Sequence, residues 1–405
     1  MTAYIIYTIV ILLSIFILFK LIVLVVSNTS SGFWLSQPVF HFHNISYWIN
    51  PIGIVNKSPP PITKFVNFIN TKIIKIMPTF SDEFKDTPPM IIQQLCAFIR
   101  NNYMIHELVV YYPTLGDIIS YLECNTHPSF FITYEEPEKY DKDGQLNRQI
   151  TGLMTARILN VSIKIKTEFN NFNVYYVDNL CVERSSRKRG ITPELIQTMY
   201  YHVSREIPSV NVYMFKREMK LNNIIPLTYY DTLCFDTQYI KSLHTTVAHN
   251  LIEVSETNVN LFLDFIESNK KRFECIIFPD VSSLLNLIIN KKFSIYLYIV
   301  DSVVIVSIVY RRSSLTYCNI KSTECISIVS TLDYKENELL FNIFYESAVL
   351  HGNAGILIID DVSDCEPLIK KLSVSFKLMF KIPNAFYLFN YICYSYYRYK
   401  TILIY

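Results

Sequence analysis

Apolar residues fill the run Tyr4–Val26 with a single charged interruption, Lys20. As a helix this run would be about 34 Å long, enough to cross a bilayer. Beyond it the pattern changes. Residues 28–89 carry the proline clusters Ser58–Pro61 and Thr87–Pro89 and no sustained period, which predicts a strap laid over a domain. From Met90 onward, helical and strand-like periods alternate. Ile91, Leu95, Phe98 and Ile99 share one face of a predicted helix over Met90–Asn101. A charged hairpin loop at Glu135–Gln145 precedes strand-like runs at Ile150–Ile165 and Asn173–Val182. A helix is predicted over Pro193–Arg205, where Leu195, Ile196, Met199 and Val203 recur at helical spacing, and then a strand at Val210–Phe215. The rest of the chain runs in a similar order. Helices are predicted at Val259–Ser268 and Val281–Ile289, and strands at Ser294–Tyr310 and Cys325–Ser330. A helix at Glu336–Leu350, a strand at Gly355–Ile359 and apolar strands complete it. The alternation predicts an α+β fold of two similar halves, although no sequence repeat marks them. The divisions are 1–27 as a transmembrane anchor, 28–89 as the strap, and 90–240 and 241–405 as the halves.

Charge changes this picture little. The 405 residues include 37 basic and 35 acidic ones, for a net charge of +2. No global field favours nucleic acid, so an anion site has to be local. The aromatic closing run "YSYYRYKTILIY" therefore reads as a core strand and not as a base-stacking surface. No Lys or Arg precedes the first apolar run, whereas Lys57 and Lys64 follow it. That asymmetry predicts a single-pass membrane protein with its body in the cytosol. The nine cysteines are odd in number and widely spaced, with no CxxC pair, and read as reduced thiols. His41 and His43 have no further His or Cys cluster near them in sequence, so no metal is expected. No GxSxG, HExxH or GxxxxGK[ST] motif occurs.

Candidate chemistry enters at "VDNLCVERSSRKRGITPEL" (Val177–Leu195). Arg184, Arg187, Lys188 and Arg189 fall between a predicted strand and a predicted helix. Thr192 is the expected N-cap and Pro193 the first helical residue. A helix N-terminus has unpaired N–H groups and a favourable dipole, and both suit an anion. Gly190 permits a backbone turn that bares N–H groups to a phosphate. Cys181, with no His near it in sequence, reads as a buried strand thiol and not as a nucleophile.

The spacing Arg187-x-x-Gly190-x-Thr192 resembles the RxxGxG/A pyrophosphate loop of the acetyltransferase superfamily. More specifically, "NLCV", a basic turn and "TPELI" resemble the glycylpeptide N-myristoyltransferases, where "FLCV" is followed by a basic turn and "APxLI". "FWLSQPV" (Phe33–Val39) is similar to that family's "FWDTQPV". "NNYM" (Asn101–Met104) is similar to "NENYV", and "YLFNY" (Tyr387–Tyr391) to "YLYNW". The matches fall in family order over Phe33–Tyr405.

The resemblance implies two acetyltransferase-like halves related by a pseudo-two-fold. It implies a monomeric acyltransferase that moves myristate from myristoyl-CoA to the N-terminal glycine of a protein, without a metal. By position, the backbone amides of Asn179 and Leu180 would form the oxyanion hole, and the terminal carboxylate of Tyr405 would be the base. The donor would contact Leu180, Cys181 and Val182 on the strand and Arg187, Lys188, Arg189, Gly190, Ile191, Thr192 and Pro193 on the turn. Phe33 and Trp34 would close over it. On the acceptor side the implied contacts are Tyr103, Asp178, Phe215, Tyr229, Asp231 and Asp361. This side departs most from the family. Asp178 replaces an Asn, Asn179 a Phe, and "MFKRE" (Met214–Glu218) stands where the family has "YTAG". Phe215 thus replaces a hydroxyl, and Asp231 stands in the place of a His. The acidic run beside "NENYV" is thinned to Glu107. Two alternatives stay open: a catalytically inactive membrane-bound relative that is a scaffold or binds acyl-CoA, and an enzyme for another acyl chain or amine.

Overall fold

The computed structural model describes residues 2–27, 32–49, 52–77, 90–104, 109–140, 146–219, 221, 223–238, 246–317, 319–352 and 355–405. Thr87–Pro89, Glu107 and the end of the expected charged loop lie outside these residues.

Helix α1 (Thr2–Ser27) opens the chain. Its described side chains, Tyr4–Leu18 and Leu21, are all exposed. Among the described residues no helix is long and apolar enough to cross a membrane. The strap holds a 3-10 turn at Phe33–Ser36, a short helix α2 (Ile45–Ile49) and strands β1 (Gly53–Ile54) and β2 (Thr71–Ile76).

The first half begins with α3 (Met90–Asn102), β3 (Val109–Tyr111) and α4 (Leu115–Leu122). Helix α4 has a capping box, in which Thr114 and Asp117 satisfy each other's backbone N–H. Strands β4 (Ser129–Tyr140), β5 (Leu146–Ile165) and β6 (Glu168–Val182) form an antiparallel meander. Strand β4 runs through Glu135–Tyr140, where a loop was expected, because β5 continues to pair with it there. Helix α5 (Ile191–Glu206) then crosses back, so that β7 (Tyr213–Glu218) lies parallel to β6. Strand β8 (Thr228–Asp236) follows.

The second half contains β9 (Leu251–Glu253), α6 (Val259–Asn269), β10 (Cys275–Phe278) and α7 (Val281–Ile289). The single strand expected at Ser294–Tyr310 is a hairpin, β11 (Phe293–Val300) and β12 (Val303–Tyr317). Asp301 and Ser302 turn it, both with positive φ, 48° and 65°, as a tight two-residue hairpin turn requires. Next come β13 (Ile320–Ser330), α8 (Asn337–Leu350), β14 (Ile356–Asp360) and α9 (Glu366–Ser375). Strands β15 (Lys377–Phe389), β16 (Tyr391–Ile392) and β17 (Thr401–Leu403) close the chain. Strand β14 lies parallel to β13 across the helix α8, as β7 lies parallel to β6 across α5.

The two halves are thus built alike, and they exchange a strand. Strand β8 pairs with β14 of the second half, and β15 pairs with β7 of the first. Strands β15 and β8 also pair with each other, which joins both halves into one 15-stranded sheet. The sheet order β6-β7-β15-β8-β14-β13 reads alike from either side of the β15–β8 seam, so the pseudo-two-fold passes there.

Apolar helix faces cover the sheet. Leu195, Met199 and Val203 of α5 are buried with Phe130, Ile132 and Met154 of the meander. Cys96, Cys181, Cys234, Cys275, Cys325, Cys365 and Cys393 are buried free thiols, and Cys318 lies outside the described residues.

Candidate active site

Between β6 and α5 the chain makes a 3-10 turn at Arg184–Ser186 and then passes Gly190, whose φ is +87°. The N-cap is Gly190 and the first helical residue Ile191; Thr192 and Pro193, expected there, sit further inside the helix. The left-handed glycine starts the helix without a side-chain cap. The N–H groups of Ile191 and Thr192, in the first turn, have no partner within the helix. They border a cavity of about 660 Å³. Strand β6 lines this cavity with Leu180, Cys181 and Val182. The turn and the start of the helix line it with Arg187, Lys188, Gly190, Ile191, Thr192 and Pro193.

Arg189 takes no part in that cavity. Glu136 holds both of its terminal nitrogens, at 2.6 and 2.9 Å. Arg187 Nε donates to the Val182 carbonyl at 3.2 Å, which folds the side chain against the end of β6. Two cations at a helix N-terminus remain to receive an anion. Burial pushes the Cys181 thiol up to about 12, with Arg187 acting weakly the other way. It is therefore a neutral wall residue at ordinary pH.

Strand β6 is irregular beside this cavity. Leu153 pairs with Cys181 and Thr155 with Asp178, so two residues, Asn179 and Leu180, stand opposite Met154 alone. This is a β-bulge. Asn179 occupies the left-handed region, with φ 52°, which asparagine tolerates better than most residues. Its side-chain Nδ2 donates to Thr155 Oγ1 at 3.0 Å, and Thr155 Oγ1 donates to the Asp178 carbonyl at 3.1 Å. The Asn179 backbone N–H donates to Asp178 Oδ1 at 2.8 Å. The Tyr103 hydroxyl lies 3.4 Å from the same oxygen. Burial first, and then Asp178, push the Tyr103 phenol well above its usual range.

On the other side of the bulge lies a larger cavity, of about 1160 Å³. Leu180, Thr192 and Tyr103 line both cavities, so the two meet at the bulge. Trp34, Asp178, Asn179, Phe215 and Tyr405 also line the larger one. Trp34 stacks on Phe215 with ring centroids 5.1 Å apart, and Phe215 stacks in turn on Tyr387. Phe33, in contrast, is sealed in the core edge-on to Trp34 and Phe65 and reaches neither cavity.

Three expected acceptor contacts line neither cavity. Tyr229 is exposed, Asp231 pairs with Lys381 at 2.9 Å, and Asp361 pairs with Arg398. Burial raises the Asp361 carboxyl, and Arg398 opposes that shift. Alternation decides the position of Asp231. Neighbouring residues of a strand face opposite sides, so Thr232 of β8 lines the cavity while Asp231 does not; Asp360, the last residue of β14, lines it too, and Asp361 follows the end of that strand. Thr232 Oγ1 donates to Asp360 Oδ1 at 2.5 Å.

The inner wall of the large cavity carries Lys216, which the sequence reading met within "MFKRE", and three more cations that it missed, Arg311, Lys292 and Arg157. Lys216 Nζ donates to the Tyr405 hydroxyl at 2.8 Å. Arg311 pairs with Glu324 at 2.5 Å and lies 3.5 Å from the backbone oxygen of Tyr405. Lys292 pairs with Asp117 at 2.6 Å. Arg157 is only 4% exposed, and its Nη1 has no hydrogen-bond partner. A signal existed for Arg157: it is a lone charge inside the apolar run "LMTARILNV", a placement that costs free energy unless it serves a purpose.

No family model matches the chain, and no curated protein matches it in sequence. Solved structures do match. Saccharomyces cerevisiae N-myristoyltransferase with bound myristoyl-CoA aligns over 90% of this chain and 93% of that chain, with a TM-score of 0.66 and 14% identity. A second structure of that enzyme with myristoyl-CoA aligns over 90% and 88%, with a TM-score of 0.64 and 13% identity. A third, with myristoyl-CoA and inhibitors, aligns over 90% of both chains, with a TM-score of 0.65 and 13% identity. The chain has the N-myristoyltransferase fold. Within this N-myristoyltransferase fold, "YLFNY" has a mechanical role. Asn390 accepts the Asn56 N–H at 2.8 Å through Oδ1 and donates its own N–H to the Pro38 carbonyl at 2.7 Å. It thereby pins the strap that carries Trp34 onto the sheet.

Proposed function

We propose that this chain is an acyltransferase of the N-myristoyltransferase kind, which moves myristate from myristoyl-CoA to the amine of an N-terminal glycine. One observation carries the reading. The β6 bulge, with a left-handed Asn179, lies between a cation-lined cavity at a helix N-terminus and a large cavity with Tyr405 on its wall. Arg187, Lys188 and the first turn of α5 would hold the CoA phosphates. Backbone N–H groups of the bulge would face the thioester oxygen, where negative charge develops. The attacking amine must first lose a proton, and a carboxylate at Tyr405 would accept it. The C–N bond then forms, the nitrogen gives up its second proton as the C–S bond breaks, and the departing CoA thiolate takes up that proton through solvent.

A second reading, an inactive relative that binds acyl-CoA, draws on a separate observation. Asp178 already occupies the Asn179 N–H, and Lys216 and Arg311 crowd the surroundings of Tyr405 with positive charge. Mass spectrometry separates the two. Purified protein is incubated with myristoyl-CoA and a panel of N-terminal glycine peptides. A mass gain of one myristoyl group on any peptide supports transfer. Tight myristoyl-CoA binding without any acylated product supports the inactive relative.

We also propose that α1 anchors the protein in a membrane with the body in the cytosol. The apolar run Tyr4–Val26 and the exposure of every described α1 side chain support this reading. Carbonate extraction tests it: the full-length protein should stay with the membrane fraction, and its release would overturn the anchor. Asn44 and Asn160 each head an Asn-x-Ser sequon, and glycans on either would overturn the cytosolic orientation.

A further inference from the structure

Two anomalies on the cavity wall are neighbours. The first is Asp178, whose Oδ1 takes the backbone N–H of Asn179 at 2.8 Å, a donor that the acyl-transfer reading needs for the thioester oxygen. The second is Arg157, a buried guanidinium whose Nη1 has no acceptor. Leaving such a donor unpaired is unfavourable, and a carboxylate is its best acceptor. Strand register relates the two residues. Thr155 pairs with Asp178 and Arg157 with Tyr176, so Arg157 and Asp178 are diagonal neighbours on one face of an antiparallel pair. Their Cβ atoms are then about 7 Å apart, a gap that an arginine and an aspartate side chain close together. Yet they are not an ion pair here, because Asp178 is turned towards the bulge.

Arg157 is also held in place. Its Cζ lies 5.0 Å from the centroid of the Tyr121 ring and 5.4 Å from that of Tyr176. Burial makes Arg157 easier to deprotonate than usual, Asp178 works against this, and Arg311 adds repulsion. The other cavity cations with close partners are accounted for. Arg311 has Glu324, Lys292 has Asp117, and Lys216 has the Tyr405 hydroxyl.

We propose that Arg157 is a positioning residue: it receives the Asp178 carboxylate when a donor carbonyl takes the Asn179 N–H. Asp178 and the acyl carbonyl compete for one backbone donor, and Arg157 draws Asp178 away. The exchange leaves every group paired. It also neutralises a carboxylate that would otherwise repel the developing oxyanion. The inference rests on the acyl-transfer reading and deepens it by explaining how a bulge closed at rest opens on donor binding.

The test needs no turnover. Full-length wild type, Arg157→Met, Asp178→Ala and the double variant are titrated by calorimetry with myristoyl-CoA and with its thioether analogue, which lacks the carbonyl oxygen. Wild type is expected to favour the thioester about three- to tenfold, the worth of one net hydrogen bond. Arg157→Met should bring that ratio to about one, because Asp178 then stays on the Asn179 N–H. Asp178→Ala and the double variant should keep the preference, since without an acceptor at 178 the Asn179 N–H is free and Arg157 has nothing to draw away. Arg157→Lys, which keeps the cation and is a smaller insult to folding, should retain part of it. An undiminished ratio in Arg157→Met, or an equal loss in the double variant, overturns the proposal while acyl-CoA binding stands. No binding of either ligand to wild type overturns the acyl-CoA reading, and this inference with it.

Discussion

The Lys216 ammonium and the Tyr405 hydroxyl lie 2.8 Å apart, and they tie strand β7 to the last residue of the chain inside the cavity wall. Burial pulls the Lys216 pKa down, but the oxygens of Tyr405 and Asp360 outweigh it, and the net shift is upward. Lys216 is therefore a cation throughout the ordinary pH range, and Tyr405 is fixed by it and by Arg311.

That fixation makes the position of a Tyr405 carboxylate testable. Each added residue would move it by up to about 3.5 Å, whereas proton abstraction needs contact near 3 Å. Two glycines appended after Tyr405 are expected to lower acyl transfer by about a hundredfold or more and to leave myristoyl-CoA affinity within about twofold. Single-turnover mass spectrometry and calorimetry give the two readouts. Full transfer by the extended chain would exclude the terminal carboxylate as base.

The basic turn yields a contrast between adjacent residues. Arg187 and Lys188 line the smaller cavity, whereas Arg189 is held by Glu136. Arg187→Glu with Lys188→Glu should weaken acyl-CoA binding by about tenfold or more, and more strongly at low salt. Arg189→Ala should change it by less than about threefold. Calorimetry at two ionic strengths checks both, and equal losses in the two variants would remove the turn from the binding site.

Gly152 sets how closely α5 approaches the sheet. A Cβ there would stand 2.8 Å from Ile191 Cγ2 and 3.1 Å from Leu195 Cδ1. Gly152→Ala should therefore cost about 1–3 kcal/mol and push the first turn of α5 away from the donor cavity, weakening acyl-CoA binding as well. At Gly190 a Cβ would meet nothing within 4 Å, and only the φ of +87° opposes it. Gly190→Ala should cost about 1 kcal/mol. Thermal unfolding in detergent with and without myristoyl-CoA ranks the two.

The buried pair Lys292–Asp117, 2.6 Å apart, joins α4 of the first half to the start of β11 in the second. Burial raises the Asp117 carboxyl, but its hydrogen bonds to Lys292 and Thr114 prevail, and the net shift is downward. A depressed folded pKa stabilises above the unfolded value near 4 and is lost as pH falls through the folded one. Lys292→Met should cost about 1–3 kcal/mol at pH 7, where Asp117 keeps its Thr114 hydrogen bonds but loses its counter-ion. The gap to wild type should narrow below about pH 4 as Asp117 protonates. Denaturant unfolding at several pH values measures it, and a pH-independent gap would contradict the assignment.

Much of this architecture follows from local sequence. Helices α3, α7 and α8 are legible because their apolar positions recur with the helical period, and α7 matches its predicted limits at Val281 and Ile289. The basic turn is legible because Gly190 and the following apolar period mark a helix start within a few residues. Periodicity cannot report which strands pair across the chain. The exchange of β8 and β15 joins segments far apart in sequence, and only sheet closure fixes it. Sequence alone also misassigns a face wherever register matters. One residue of offset separates Thr232 on the cavity from Asp231 on Lys381, because strand side chains alternate. The convergence of Arg157, Lys216 and Arg311 is tertiary for the same reason. Arg157 is a lone charge in an apolar run, whereas Lys216 and Arg311 each precede a second basic residue, and only the folded sheet brings the three around one cavity.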